Sequence, residues 1–146
     1  TVVNAMAVKD INGDGVEDVL IPSGIFWMQG ESDADKTELI ANNYYANLKR
    51  LMDLMKAAFR NNDLPIVIGK ISDSGDDADG KVFGFGELVQ FSQEKFAATQ
   101  PNAAIVRTTN SYKYTDRYHY DSHGFIDLGK QFADALFTLN NKESKK

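Results

Sequence analysis

Pro65-Ile66-Val67-Ile68-Gly69-Lys70-Ile71 is a short, almost unbroken apolar run, the pattern of a strand buried on both faces. On its N-terminal side Leu48, Leu51, Met52, Met55 and Phe59 recur at helical spacing through Arg60, with Thr37 placed to cap the segment. Before that helix, Ile21 to Met28 is interrupted by Pro22 and Gly24 and then gives Ile25-Phe26-Trp27-Met28, another buried strand. On the C-terminal side come the loop Ser72 to Gly84, rich in aspartate and glycine, and a helix with a weaker stripe at Leu88, Phe91, Lys95 and Phe96. Ala103 to Arg107 reads as a third strand. The loop Thr108 to Asp121 then leads to a last helix capped by Ser122, with Phe125, Leu128, Phe132, Leu136 and Leu139 as its expected buried face. Asn140 to Lys146 reads as a polar tail, and Val2 to Val8 as a short apolar opening. Strand-helix alternation repeated three times predicts an α/β fold, a parallel sheet flanked by helices in three layers.

At 146 residues and 42% hydrophobic, the chain can bury one core. Sixteen basic against 21 acidic residues leave a net charge of −5 with no basic stripe, which argues against nucleic acid and anionic membrane as partners. The absence of cysteine excludes disulfides, thiolate metal sites and cysteine nucleophiles, and it leaves the compartment open. The longest apolar runs are too short to span a bilayer. Thr1 is not an initiator methionine, so the chain is expected to begin inside a longer precursor or to have been trimmed.

In a doubly wound sheet, ligands gather outside the carboxyl ends of the strands. Gln29-Gly30-Glu31, Ser72 to Gly84 and Asp116 to His119 each follow a predicted strand, so all three are expected at one edge. Asp116-Arg117-Tyr118-His119 sets a carboxylate three residues ahead of a histidine. In acyl transfer a base takes the nucleophile's proton and a carboxylate fixes the imidazole tautomer, and one loop can supply both. His123, within Asp121-Ser122-His123-Gly124, lacks that relation and reads as a first-turn surface residue, with Asp121 a carboxylate favoured by the helix dipole. Ser72 and Ser74 also leave a strand at this edge, yet they lack the sharp glycine-flanked elbow of a nucleophile.

Gly24-Ile25-Phe26-Trp27-Met28-Gln29-Gly30-Glu31-Ser32-Asp33-Ala34, together with Asp116-Arg117-Tyr118-His119, resembles the SGNH (GDSL-like) hydrolases, in their carbohydrate acetylesterase and sialate O-acetylesterase branch. The resemblance implies a flavodoxin-like fold and a serine esterase that removes O-acetyl groups from carbohydrate. It implies His119 as base, Asp116 as its orienter, and Gln29 as an oxyanion donor at the end of a central strand, its amide directed toward the space in front of His119. Trp27, Gly30 and Glu31 would surround the substrate, Trp27 as core residue or pocket wall and Glu31 buried and holding loops together by hydrogen bonds. No cofactor is implied, and a secreted or periplasmic location is. The likeness runs from about Gly24 to Leu139 and corresponds to the later part of a family domain, so residues 1–146 are expected to form the C-terminal portion of one domain. The Gly-x-Ser-Asn turn that carries the family's nucleophile has no counterpart here. The serine is therefore expected on an N-terminal segment outside this chain, which becomes a partner alongside the acetylated carbohydrate.

One further motif stands apart. Asp10, Asn12, Asp14, Gly15, Val16 and Asp18 match the first nine positions of an EF-hand-type loop, with oxygen donors at alternating positions and Val16 offering a carbonyl. Position twelve falls on Ile21, so the bidentate ligand is missing. Calcium binding and a metal-free turn built on Asx side chains both remain open. Asp73, Asp76, Asp77 and Asp79 have no comparable spacing and read as a solvated loop. The reading that competes with the esterase is a noncatalytic calcium- or carbohydrate-binding α/β fragment.

Overall fold

The computed structural model describes residue 4 and residues 7–143. Three parallel strands, β1 (Ile25–Trp27), β2 (Ile66–Gly69) and β3 (Ala103–Val106), lie side by side in that order, with Ile25 opposite Ile66 and Ile66 opposite Ala103. Among residues 7–143 they are accompanied by the helices α1 (Glu31–Lys36), α2 (Glu38–Phe59), α3 (Gly86–Thr99) and α4 (Ser122–Glu143). Thr108–Ser111 forms one 3-10 turn after β3. No helix among the described residues is long and apolar enough to cross a membrane.

Side chains of a strand alternate between faces, and β2 shows how the three layers arise. Ile66 and Ile68 join Ile25, Ala41, Tyr44, Leu48, Met52, Val89 and Phe96 in a core under α2 and α3. Val67 points the other way, into a second core with Val106, Leu128, Phe132 and Leu139 under α4. Complete burial of Ile66, Val67 and Ile68 contributes roughly 1.5–3 kcal/mol for each side chain. The α/β expectation holds.

Several local expectations hold, and others need correction. The Thr37 hydroxyl accepts the Ile40 N–H at 3.2 Å and starts α2, which ends on Arg60 in a left-handed conformation, φ 54°. For α4 the cap is Asp121 rather than Ser122. Its carboxylate accepts the Gly124 N–H at 2.8 Å and its carbonyl the Phe125 N–H, which makes Ser122 the first helical residue. The helix also runs on through Glu143, past the start of the predicted polar tail, because no glycine or proline stops it. Residues 144–146 and most of the apolar opening at Val2 to Val8 lie outside the described residues. In α3 Phe91 is 68% exposed, and the buried face is Val89, Ser92, Gln93 and Phe96. Phe125 is likewise exposed. The strand carrying Trp27 is not central. Among the described residues β1 pairs only with β2, which takes the middle position because both crossovers advance the sheet in the same direction.

Candidate active site

The chain between β3 and α4 folds back on itself as a tight hairpin. The Thr115 N–H bonds the His119 carbonyl at 2.9 Å, the Asp121 N–H bonds the Lys113 carbonyl at 2.8 Å, and Tyr114 bridges Tyr120 between them. At the tip, Asp116 Oδ1 accepts the backbone N–H groups of Tyr118 at 2.7 Å and His119 at 2.8 Å. His119 Nδ1 lies 2.8 Å from Asp116 Oδ2 and 3.0 Å from Oδ1. The Tyr118 N–H first, and then the His119 imidazole, hold the Asp116 carboxyl down to about 2. An ionised carboxylate can only accept, so a proton sits on Nδ1, and in the neutral imidazole the lone pair is then on Nε2. The His119 side chain is 66% exposed, which leaves it open to a reacting group. Chemically, such a pair can serve as a base with an orienting carboxylate.

Gln29 follows β1 and is half-buried. Its carbonyl accepts the Tyr44 hydroxyl at 2.6 Å and the Gln93 amide at 3.1 Å. Gln29 lines a cavity of about 200 Å³ with Trp27, Asp33, Tyr44, Asn47, Leu48 and Leu51. Neither His119 nor Asp116 is in its wall, so this cavity does not join Gln29 to the histidine. Trp27 packs on the core under α2 and also borders this cavity, with its indole N–H 3.4 Å from the Tyr44 hydroxyl. Gly30 has φ 155°, and a Cβ there would come within 2.8 Å of Val89 Cγ1. The close approach it permits is to α3. Glu31 opens α1 half-buried rather than buried, where a carboxylate in a first turn is favoured by the backbone N–H groups. Its charge is felt at the hairpin: Tyr114 and Tyr120 have raised phenol pKa values, chiefly through burial and in smaller part through Glu31.

The loop after β2 meets the hairpin directly, and the segment after β1 is tied in through α1 and α3. Ser72 Oγ reaches the hydroxyls of both Tyr114 and Tyr120, Ser74 Oγ donates to the Arg117 carbonyl at 2.9 Å, and the Phe85 N–H bonds the Ala34 carbonyl of α1 at 2.9 Å. Asp73, expected to be merely solvated, closes its loop by accepting N–H groups from Gly75, Val82 and Phe83. The residues that knit this edge together most tightly were not visible as a pattern. Gln93, fully buried, accepts the Ile71 N–H at 3.0 Å and donates to Gln29, tying the ends of β2 and β1 to α3. Thr109, also fully buried, donates to the Lys70 carbonyl at 2.6 Å. The repeated tyrosines around Asp116-His119 were the one available signal.

His123 is an exposed residue of the first turn of α4, as expected, and lines a separate cavity of about 310 Å³ with Tyr112, Lys113, Asp121 and Asp127. In the acidic loop the candidate ligands are turned onto their own backbone. The Asp10 carboxylate accepts from Gly13, Asp14 and Gly15, Asn12 from Asp14, Asp14 from Val16 and Asp18 from Ile11. Among the described residues no group of three or more histidine, cysteine, aspartate or glutamate side chains is placed to hold a metal ion.

The fold is shared with solved structures. A protein from Arabidopsis thaliana superposes with a TM-score of 0.66 at 23% identity, over 80% of this chain and 44% of its own. A carbohydrate acetylesterase from Xanthomonas citri does so with a TM-score of 0.59 at 22% identity, over 77% of this chain and 25% of its own. This chain thus spans less than half the length of either. No curated protein matches it. A family model, in contrast, matches residues 8–138, through both the Trp27-to-Glu31 segment and the hairpin that carries His119. The chain belongs to the carbohydrate esterase family of sialic acid-specific acetylesterases.

Proposed function

We propose that this chain supplies the histidine and aspartate of a Ser-His-Asp esterase acting on O-acetylated carbohydrate, with the serine contributed by a segment outside these 146 residues. The observation that supports it most directly is the Asp116 carboxylate bonded to Nδ1 of a His119 side chain that is mostly exposed. In this reading Nε2 takes the proton of the serine hydroxyl as its oxygen attacks the acetyl carbonyl. Asp116 stabilises the imidazolium formed. The same Nε2–H then protonates the departing sugar oxygen as the C–O ester bond breaks, leaving an acetyl-serine. Water attacks that ester, giving a proton to Nε2, which passes it to the serine oxygen as the acyl C–O bond breaks, and acetate and the serine hydroxyl result. Gln29 is the proposed oxyanion donor, and Trp27, Gly30 and Glu31 the proposed surroundings of the substrate, on the strength of the family block they occupy.

The test is p-nitrophenyl acetate hydrolysis by the full-length protein. His119→Ala should lower turnover by about three to four orders of magnitude, the loss typical of a triad member, while His123→Ala stays within about twofold. Retention of activity in His119→Ala would remove the assignment.

A further inference from the structure

Ser72 sits just past the end of β2, only 7% exposed, and its hydroxyl meets three groups. These are the Thr109 carbonyl at 3.0 Å, the Tyr114 hydroxyl at 2.7 Å and the Tyr120 hydroxyl at 2.9 Å. A carbonyl can only accept, so the one serine proton goes to Thr109, and the two lone pairs on Oγ take the protons of the two tyrosines. The hydrogen-bonding capacity of Ser72 is then full. That makes it a poor nucleophile and a good anchor.

What it anchors is the hairpin bearing His119. Tyr114 and Tyr120 face each other across the hairpin's neck, and their rings meet edge to face with centroids 5.0 Å apart. Two more attachments from the same loop reach the tip. Ser74 holds the Arg117 carbonyl, and Asp77 pairs with the Arg117 guanidinium, one residue from Asp116. The neck is also packed, with Tyr120 buried in the core under α4 and its ring against Phe125, whereas the tip meets the rest of the fold mainly through these two bonds and the contact of Tyr118 with Phe83. An isolated two-stranded ribbon is marginal in water, and the side chains of His119 and Asp116 are both more than half exposed.

We propose that Ser72 and Ser74 are positioning residues: the loop after β2 clamps the hairpin at neck and tip and so sets the direction in which His119 Nε2 is presented. The catalytic consequence rests on the esterase reading, whereas the clamp itself can be measured without activity. In the full-length protein, Ser72→Ala and Ser74→Ala should each speed amide hydrogen exchange at Thr115 and Asp121 by about tenfold, while Val67 and Ile68 in β2 are unchanged. Ser74 is only half-buried, so its variant keeps the test sound if Ser72→Ala fails to fold. With p-nitrophenyl acetate, kcat should fall about tenfold in both variants with KM within about twofold, and Ser74→Thr, which restores the hydroxyl, should recover it. Unchanged exchange at the hairpin, or exchange raised equally in β2, overturns the clamp. Loss of activity in His119→Ala alongside unchanged kcat in both serine variants overturns the positioning role and leaves the esterase reading standing. Full activity in His119→Ala overturns that reading, and the exchange result still decides the clamp.

Discussion

At the scale of single residues, the site depends on one aspartate doing two things. Asp116 accepts two backbone N–H groups of its own turn and one imidazole N–H, so the bonds that shape the hairpin tip also orient His119. The Asp-x-x-His spacing made this pair legible, because three residues of chain are enough for a side chain to bond the backbone ahead of it and meet the fourth side chain. The carboxyl is held at about 2, below the unfolded value near 3.9. A lowered pKa means that its contribution is fully present above pH 4 or so and is lost as pH falls through about 2. Titration of the Asp116 carboxyl carbon by NMR should therefore show a midpoint near 2, with the Tyr118 and His119 amide shifts moving in step. A midpoint at 3.9 would mean that the turn bonds do not persist in solution. Gln29 illustrates a limit of the residue scale: its place after a strand was readable, but the cavity it lines could not be, because α2 and Tyr44 determine that wall.

Among the elements, those with plain apolar signatures were legible, namely β2, α2 and the outline of α4, since burial of such runs dominates their placement. The face of α3 was not, because its central buried residue is an amide. Gln93 earns its place by satisfying backbone groups at the ends of two strands, and an apolar count passes over it. Replacing it with leucine keeps the volume and strands the Ile71 N–H and part of the bonding of the Gln29 carbonyl. Gln93→Leu should therefore cost about 2–4 kcal/mol in urea unfolding, and a cost under about 0.5 kcal/mol would show that water or a shifted strand end replaces those bonds. The acidic loop belongs to this scale too. Its carboxylates and Asn12 already accept seven bonds drawn from their own loop and lack the donor at position twelve, so calorimetric titration with calcium should give dissociation constants no tighter than about 10⁻⁴ M. Nanomolar binding would show that the loop re-forms around the ion. The short α1 and the 3-10 turn, only six and four residues long, carried no periodic signal to read.

For the molecule as a whole, the decisive feature is the free side of β1. Among the described residues that strand pairs with β2 alone, and Phe26 on it is half-exposed, stacked on Phe132 at 5.1 Å. Ile126 and Phe137 of α4 are exposed as well. A free parallel edge beside apolar surface suits a further strand-helix unit, and it lies next to the segment proposed to bind the oxyanion. Such a unit is where the nucleophile of the proposed triad would enter. The 146-residue chain alone should accordingly hydrolyse p-nitrophenyl acetate at no more than a weak general-base rate, since histidine and aspartate lack an activated serine to work on. Joined to the segment proposed to carry the serine, the chain should gain turnover by several orders of magnitude, together with a serine that reacts with an organophosphonate. The same joining should slow amide exchange along β1, which a segment tethered without pairing would leave untouched. Esterase activity in the isolated chain that disappears in Ser72→Ala or Ser74→Ala would sink the two-segment reading. It would require the Ser72 hydroxyl to exchange its three partners for an acyl group and would move the catalytic centre to the end of β2.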